Sequence, residues 1–276
     1  MEDFANKMQL LNSIGYQGIF EAANHKLNET GGVMLWKLNA AFPSVVWQIY
    51  DWFLEPNAGY YAMQNACEPV HIQLNLNDSV VAVINRTHKI TPKLTADAEV
   101  FSLDGKSLFH QSMPVTSLST GVKEAFSLKA ILANTKGVSM VMLNLKDVAG
   151  KTISRNTYWL SPDNNYQAMQ QMPEAKLQSR IVKLVKGKNS TEWTISISNP
   201  SNQLAFFIRP QLMLDGEEVM PAYWSSSYFT LKPHEQIIVS VSAPADKIKS
   251  GIPTIDVSAW NVPVEHISST ASVSKR

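Results

Sequence analysis

His71-Ile72-Gln73-Leu74-Asn75-Leu76, the pair Asn77-Asp78, and Val81-Ala82-Val83-Ile84-Asn85 decide the fold. Polar and apolar residues alternate through the first run and, more loosely, through the second. A period of two marks a strand with one face in a core, and Asn-Asp between two such runs marks a turn. Toward the C-terminus the pattern recurs near 94–101, 107–113, 123–129, 138–146 and 153–160, with Asp104-Gly105 as a hairpin turn between Phe101 and Leu108. About seven short strands in about 90 residues predict an Ig-like sandwich over 70–162. After a polar connector, Ser161 to Glu174, further strands are expected near 179–185, 192–198, 205–213, 218–222, 227–231, 236–242 and 254–260. They predict a second sandwich over 175–265, though no convincing residue-level repeat links the two halves. Residues 266–276, small and polar from Ser268 onward, are expected to form a disordered tail.

Upstream of Pro69 the character is different. Residues 3–24 predict an amphipathic helix, with Phe4, Met8, Leu11, Gly15, Gly18 and Ala22 at spacings of three or four, flanked by Leu10, Ile14 and Ile19. A glycine inside a helix costs about 1 kcal/mol relative to Ala, so Gly15 and Gly18 are expected to serve close approach. Residues 32–38 form an almost unbroken apolar run, the pattern of a strand buried on both faces. Ala58 to Ala66 predicts a short helix stopped by Glu68-Pro69. Helix, buried strand, irregular stretch and helix is the rhythm of an α/β barrel. The irregular stretch is rich in rings: Trp36, Phe42, Trp47, Tyr50, Trp52, Phe53, Tyr60 and Tyr61. Flat aromatic faces cover the apolar faces of sugar rings, and neighbouring amides bond sugar hydroxyls.

Bulk properties exclude several classes. With 24 basic and 23 acidic residues and a net charge of +1, the chain has no electrostatic footprint for nucleic acid or an anionic membrane. No apolar run is long enough to span a bilayer. Met1-Glu2-Asp3-Phe4 lacks the basic and apolar regions of a secretory leader. The single cysteine, Cys67, allows no internal disulfide and is expected to be a small buried hydrophobe. The six histidines, at 25, 71, 88, 110, 234 and 266, have no metal-ligand spacing, and neither metal nor cofactor is expected. Asn-x-Ser/Thr sequons occur at Asn28, Asn77, Asn85 and Asn189 and carry little weight in a chain rich in Asn and Ser.

Gly32-Val33-Met34-Leu35-Trp36-Lys37-Leu38-Asn39, Phe42-Pro43, Trp47 and Tyr50-Asp51 resemble the last barrel strand and following loop of glycoside hydrolase family 2. The branch is that of exo-β-glucosaminidases and endo-β-mannosidases. Ala66 to Gln73, Ile153 to Leu160, and Met220 to Ser225 with Tyr228-Phe229 are similar to the same branch. The resemblance implies a mainly β multidomain chain: the C-terminal segment of a (β/α)8 TIM barrel at 1–69, followed by two Ig-like β-sandwiches. It implies the C-terminal part of a retaining enzyme hydrolysing β-glucosaminide or β-mannoside linkages. This part would supply one wall of the cleft and bracing domains. Two carboxylates about 5–5.5 Å apart perform that chemistry. In the family both lie on earlier barrel strands, and neither has a counterpart in this sequence. The chain alone is therefore expected to be inactive. Implied partners are a β-linked oligosaccharide or glycan and the remainder of the barrel, and the implied location is periplasmic or secreted.

The resemblance makes Trp36 the floor of the subsite for the cleaved sugar; on pattern alone it would pack in a core. Asn39 bonds a sugar hydroxyl or caps the strand end. Lys37 alternates with Trp36 and is expected in solvent. Phe42-Pro43 and Trp47 are expected to pack the loop. Asp51 and Glu55 could meet only if their stretch were helical, which Pro56 opposes. Glu21 and Glu29 are expected to be solvated. Trp159 and Trp224 would be sugar platforms or, more simply, packing residues. The alternative function is a non-catalytic carbohydrate-binding or protein-interaction module of tandem Ig-like domains.

Overall fold

The computed structural model describes residues 2–44, 47–249 and 251–268. The chain divides into two compact units, residues 1–36 with 59–172, and residues 37–58 with 173–276. The stretch 1–69 is thus shared between them.

In the first unit, α1 (Glu2–His25) and α2 (Ala58–Ala66) precede seven strands. These are β1 (Val70–Asn75), β2 (Val80–Asn85), β3 (Leu94–Ser102), β4 (Ser107–Val115), β5 (Gly121–Ser127), β6 (Ser139–Lys146) and β7 (Thr152–Leu160), with a short α3 (Lys129–Asn134) between β5 and β6. They form two antiparallel sheets, ordered β1-β2-β5 and β4-β3-β6-β7. Ile72, Leu74, Val81 and Val83 from one sheet share a core with Ala98, Val100, Val141 and Leu143 from the other. Alternation puts every second residue inward, which is the Ig-like sandwich the pattern predicts.

β1 departs from a half-solvated strand: its polar residues His71, Gln73 and Asn75 are as buried as Ile72 and Leu74. α1 covers them, and it does so with polar residues. Ser13, Gln17, Glu21 and Asn24 are buried together with Leu10 and Tyr16, whereas Phe4 and Leu11 of the expected apolar stripe and its flanking Ile14 and Ile19 are exposed. The interface is held by hydrogen bonds. Gln73 Nε2 donates to the Glu21 carbonyl at 3.0 Å, Asn24 Nδ2 donates to the Ala66 carbonyl at 2.7 Å, and Asn75 Nδ2 lies 3.0 Å from His25 Nδ1.

Gly15 and Gly18 are not sites of close approach, for a Cβ on either would meet nothing within 4 Å. Gly59 is: a Cβ there would sit 2.6 Å from Tyr16 Cδ2 and 2.8 Å from Asn12 Nδ2. Gly59→Ala should therefore destabilise the first unit by about 1–3 kcal/mol through overpacking. Gly15→Ala or Gly18→Ala should stabilise it by roughly 0.5–1 kcal/mol through helix propensity. Urea denaturation of the three variants reads the ordering, and equal effects would mean that α2 does not press on α1.

No strand forms over 32–38. A strand buried on both faces needs ladder partners on both edges. Among the described residues no strand pairs with Gly32 to Leu38; the Leu38 carbonyl accepts from Tyr50 N at 3.2 Å, and Met34 and Trp36 lie in solvent.

The second unit contains β8 (Gln178–Lys186), β9 (Ser190–Ser198), β10 (Ala205–Leu214), β11 (Glu217–Glu218), β12 (Tyr223–Trp224), β13 (Phe229–Leu231), β14 (Gln236–Pro244), β15 (Thr254–Ala259) and β16 (Val262–Ser268). One sheet runs β12-β14-β9-β8; the other runs β11-β10-β15-β16, with β13 also on β10. Trp193, Ile195, Val239 and Val241 are buried on the first, and Phe206, Leu212, Ile255 and Val257 on the second. β16 carries the domain to Ser268, beyond its expected end at 265; the rest of the expected tail, 269–276, lies outside the described residues.

The same kind of local knot occurs once in each sandwich. Where β2 ends, Asn85 Nδ2 donates to the carbonyls of Lys89 and Leu118, and its Oδ1 accepts from Thr87 N and Thr87 Oγ1. Just past β9, Asn199 Nδ2 donates to the carbonyls of Gln203 and Leu231, and its Oδ1 accepts from Ser201 N and Ser201 Oγ. Both asparagines are fully buried. Each uses a hydroxyl two residues on and a carbonyl four residues on to satisfy a turn leaving a core strand.

Candidate functional site

Three groups of side chains merit a chemical reading. The first centres on Glu21, buried rather than solvated. Tyr158 Oη donates to its carboxylate, 2.9 Å from both oxygens, and Gln17 Nε2 donates to Oε1 at 3.2 Å. Asn156 Nδ2 also donates to Oε1. His71 lies between two carboxylates, with Nε2 3.5 Å from Glu21 and Nδ1 3.2 Å from Glu68. Burial pushes the His71 imidazole pKa down, but bonds to Glu21 and Glu68 outweigh it and leave the pKa raised. Burial, followed by the Glu21 charge, holds the Tyr158 hydroxyl well above its ordinary range. Ser154 Oγ lies 3.4 Å from His71 Nδ1, so serine, histidine and carboxylate come together. The arrangement is nevertheless structural. A nucleophile must reach a substrate, but Ser154 is 2% exposed and His71 0%. Ser154 Oγ is also committed, donating to Glu68 and accepting from Ile72 N. The network fastens α1 to β1 and β7. Sequence reading missed it, although Ser154, Asn156 and Tyr158 at a period of two were a legible polar row on one face of β7.

The second group comprises the aromatic residues and the two expected sugar contacts. Trp36, in the first unit, is 78% exposed at the end of the unpaired 32–36 run. Asn39, in the second unit, is exposed; its Nδ2 donates to the Ala40 carbonyl at 3.0 Å, and its backbone bridges Tyr50. Lys37 is exposed, with φ of 70°. Residues 37–58 form an irregular segment anchored by buried Ala40, Ile49 and Pro56. Tyr50 N donates to the Leu38 carbonyl at 3.2 Å, and Asn57 N donates to the Ile49 carbonyl at 3.1 Å. Phe42 and Trp47, expected to pack the loop, are 65% and 62% exposed, and Trp52 and Phe53 are exposed as well. So many large apolar side chains open to solvent on one short segment mark an interaction surface rather than scattered exceptions.

The third group surrounds Glu55. Asp51 Oδ1 accepts from Phe53 N at 2.8 Å and Glu55 N at 2.9 Å, closing a tight turn in which Leu54 has a φ of 64°. No helix forms, and Asp51 caps a turn. Glu55 is largely buried, and its Oε2 accepts no hydrogen bond. Arg209 Nη2 donates to Glu218 at 3.1 and 2.9 Å, and Gln211 Nε2 donates to Glu218 Oε2 at 2.9 Å. Burial and then the Glu218 charge, with a smaller addition from Asp51 and against the pull of Arg209, raise Glu55 from 4.5 to about 8.

Elsewhere, Trp159 and Trp224 are buried, which leaves neither as a sugar platform. Cys67 is exposed rather than buried, at the polar end of α2. No group of three or more His, Cys, Asp or Glu among the described residues could hold a metal. No helix among them is long and apolar enough to cross a membrane.

A family model described as the exo-β-D-glucosaminidase Ig-fold domain matches residues 156–262, and one described as the mannosidase Ig/CBM-like domain matches 78–163. The chain is 30% identical to an exo-β-D-glucosaminidase of Arthroderma benhamiae, over 95% of this chain and 31% of that protein. It is 24% identical to a mannosylglycoprotein endo-β-mannosidase of Lilium longiflorum, over 97% of this chain and 35% of that protein. The crystal structure of the exo-chitosanase CsxA of Amycolatopsis orientalis superimposes with a TM-score of 0.89 at 24% identity, covering 97% of this chain and 35% of that one, a likeness of fold. The chain spans about a third of the length of the curated relatives it matches.

Proposed function

The chain belongs to the exo-β-D-glucosaminidase and β-mannosidase branch of the glycoside hydrolases, and on that premise we propose that it forms the C-terminal, cleft-edging part of an enzyme that cleaves β-glucosaminide or β-mannoside linkages. The observation that carries the reading is Trp36, a large flat ring held open to solvent beside the start of an aromatic segment. Indole faces suit the apolar faces of a pyranose, and a side-chain amide such as that of Asn39 suits a sugar hydroxyl. In this reading the sandwiches brace the barrel. The nucleophile and acid/base of a double displacement are carboxylates outside this sequence. Glu21, Glu55 and Asp51 take no part: Glu21 is bound into its buried network, Asp51 caps its own turn, and Glu55 is largely buried. An enzyme working outside the cytoplasm fits the same proposal. The alternative, a carbohydrate-binding or protein-interaction module of tandem Ig-like domains, loses Trp159 and Trp224 as sugar platforms, since both are buried.

The test separates the chain from the enzyme. Purified chain should release no product from aryl β-glucosaminide or aryl β-mannoside. An enzyme joining this segment to a catalytic barrel should hydrolyse at least one of them. Turnover by the chain alone, after removal of contaminating hydrolases, would refute the division of labour; silence from the joined enzyme on both substrates would refute the substrate class.

A further inference from the structure

We propose that Glu55 is a pH-governed catch that fastens the aromatic segment Lys37–Ala58 to the second sandwich, tight in acid and slack in base. The proposal does not depend on the sugar reading above. It starts from how the charges are arranged. The segment belongs to the second unit, and Glu55 is the carboxyl it presents to β10 and β11. Among the described residues the cation acting on it is Arg209 on β10, already engaged by both oxygens of Glu218 on β11, with Gln211 adding a further donor. Asp51, on the segment itself, supplies a second negative charge. Tyr228, between β12 and β13, faces the same cluster; burial pushes it up to about 12, so it stays neutral below strongly alkaline pH. An ionised Glu55 would add a third carboxylate to a site with one guanidinium, with a buried oxygen that accepts no hydrogen bond. A protonated Glu55 adds no charge.

The sign follows from the two states of the segment. Detached, the Glu55 carboxyl titrates near its ordinary 4.5; attached, it is raised to about 8. Below pH 4.5 both states carry the proton and attachment is strongest. Between 4.5 and 8 only the attached state keeps it, so each unit rise in pH weakens attachment by up to about tenfold. Above 8 both states are ionised and no further loss accrues. Trp47, Trp52 and Phe53 ride on this segment, so their presentation to a partner follows the same curve.

Hydrogen exchange of the full chain, read by mass spectrometry on peptides spanning 47–57 and corrected for intrinsic rates, tests this between pH 5 and 9. Protection should fall at least about tenfold, mostly before pH 8, while peptides from β14 hold steady. Glu55→Gln, which cannot ionise, should flatten the profile. A flat wild-type profile, or the same fall in E55Q, overturns the proposal. If E55Q loosens the segment at every pH, Glu218→Gln decides: removing one repelling carboxylate and freeing Arg209 must move the midpoint to lower pH. A midpoint that stays in place also overturns it.

Discussion

Glu21→Ala should lower the thermal midpoint of the first unit by roughly 6–20 °C, the equivalent of about 3–5 kcal/mol for breaking a buried charged network in a unit of this size. The loss does not come from one bond. The Tyr158 hydroxyl loses its acceptor, Gln17 and Asn156 each lose one, and His71 keeps Glu68 as its one neighbouring carboxylate. Every one of these groups is buried, so water cannot replace what is removed. The consequence should spread along α1, because Gln17, Glu21 and Asn24 are among the residues that hold the helix. Calorimetry reads the midpoint, and hydrogen exchange should show α1 losing protection before the sheets. Glu29→Ala is the control: Glu29 is solvated beside Lys26, and its loss should change the midpoint by less than about 2 °C. A comparable small change for Glu21→Ala would remove the network from its anchoring role.

Trp36→Ala and Trp159→Ala should fail in opposite ways in an enzyme that joins this segment to a catalytic barrel. Trp36 is 78% exposed, so its removal should leave the melting curve unchanged. On the proposed role it should lower kcat/KM by roughly 10- to 100-fold, the worth of the apolar area a large ring covers. Trp159 is buried in β7, and truncating it should cost about 3–5 kcal/mol of stability by leaving a cavity. The surviving folded fraction should turn over substrate normally. Equal losses of activity per folded molecule would remove Trp36 from the cleft.

The sandwiches were legible in the sequence because their information is local. Alternation around His71 to Asn75 and the Asp104-Gly105 turn fix strands without reference to anything distant, and β3, β4, β6, β7, β8, β9 and β14 fall within about two residues of expectation. The apolar run at 32–38 misled because hydrophobicity alone cannot say whether a ladder partner exists. α1 misled more deeply. Its apolar stripe was real, but the surface it meets, the polar side of β1, is polar too, so the helix docked by its hydrogen-bonding face. Nothing in the helix alone reveals that; it required knowing that His71, Gln73 and Asn75 would be covered. Trp36 and Asn39 were both named through the resemblance, since pattern alone would put Trp36 in a core, and the structure leaves both exposed. The Glu55 cluster was not legible, since it joins positions more than 150 residues apart.

The Asn85 knot closes one route of covalent modification. Asn85-Arg86-Thr87 has the form of an N-glycosylation acceptor, as do the stretches at Asn28, Asn77 and Asn189. Those three asparagines are exposed, whereas Asn85 is fully buried and its side-chain nitrogen is already given to Lys89 and Leu118. That nitrogen is the atom an oligosaccharide would have to occupy. A glycan on Asn85 and a folded first sandwich therefore exclude each other. In a eukaryotic secretory host, a sugar found there would label chains that were modified before β2 closed its turn and never completed the domain.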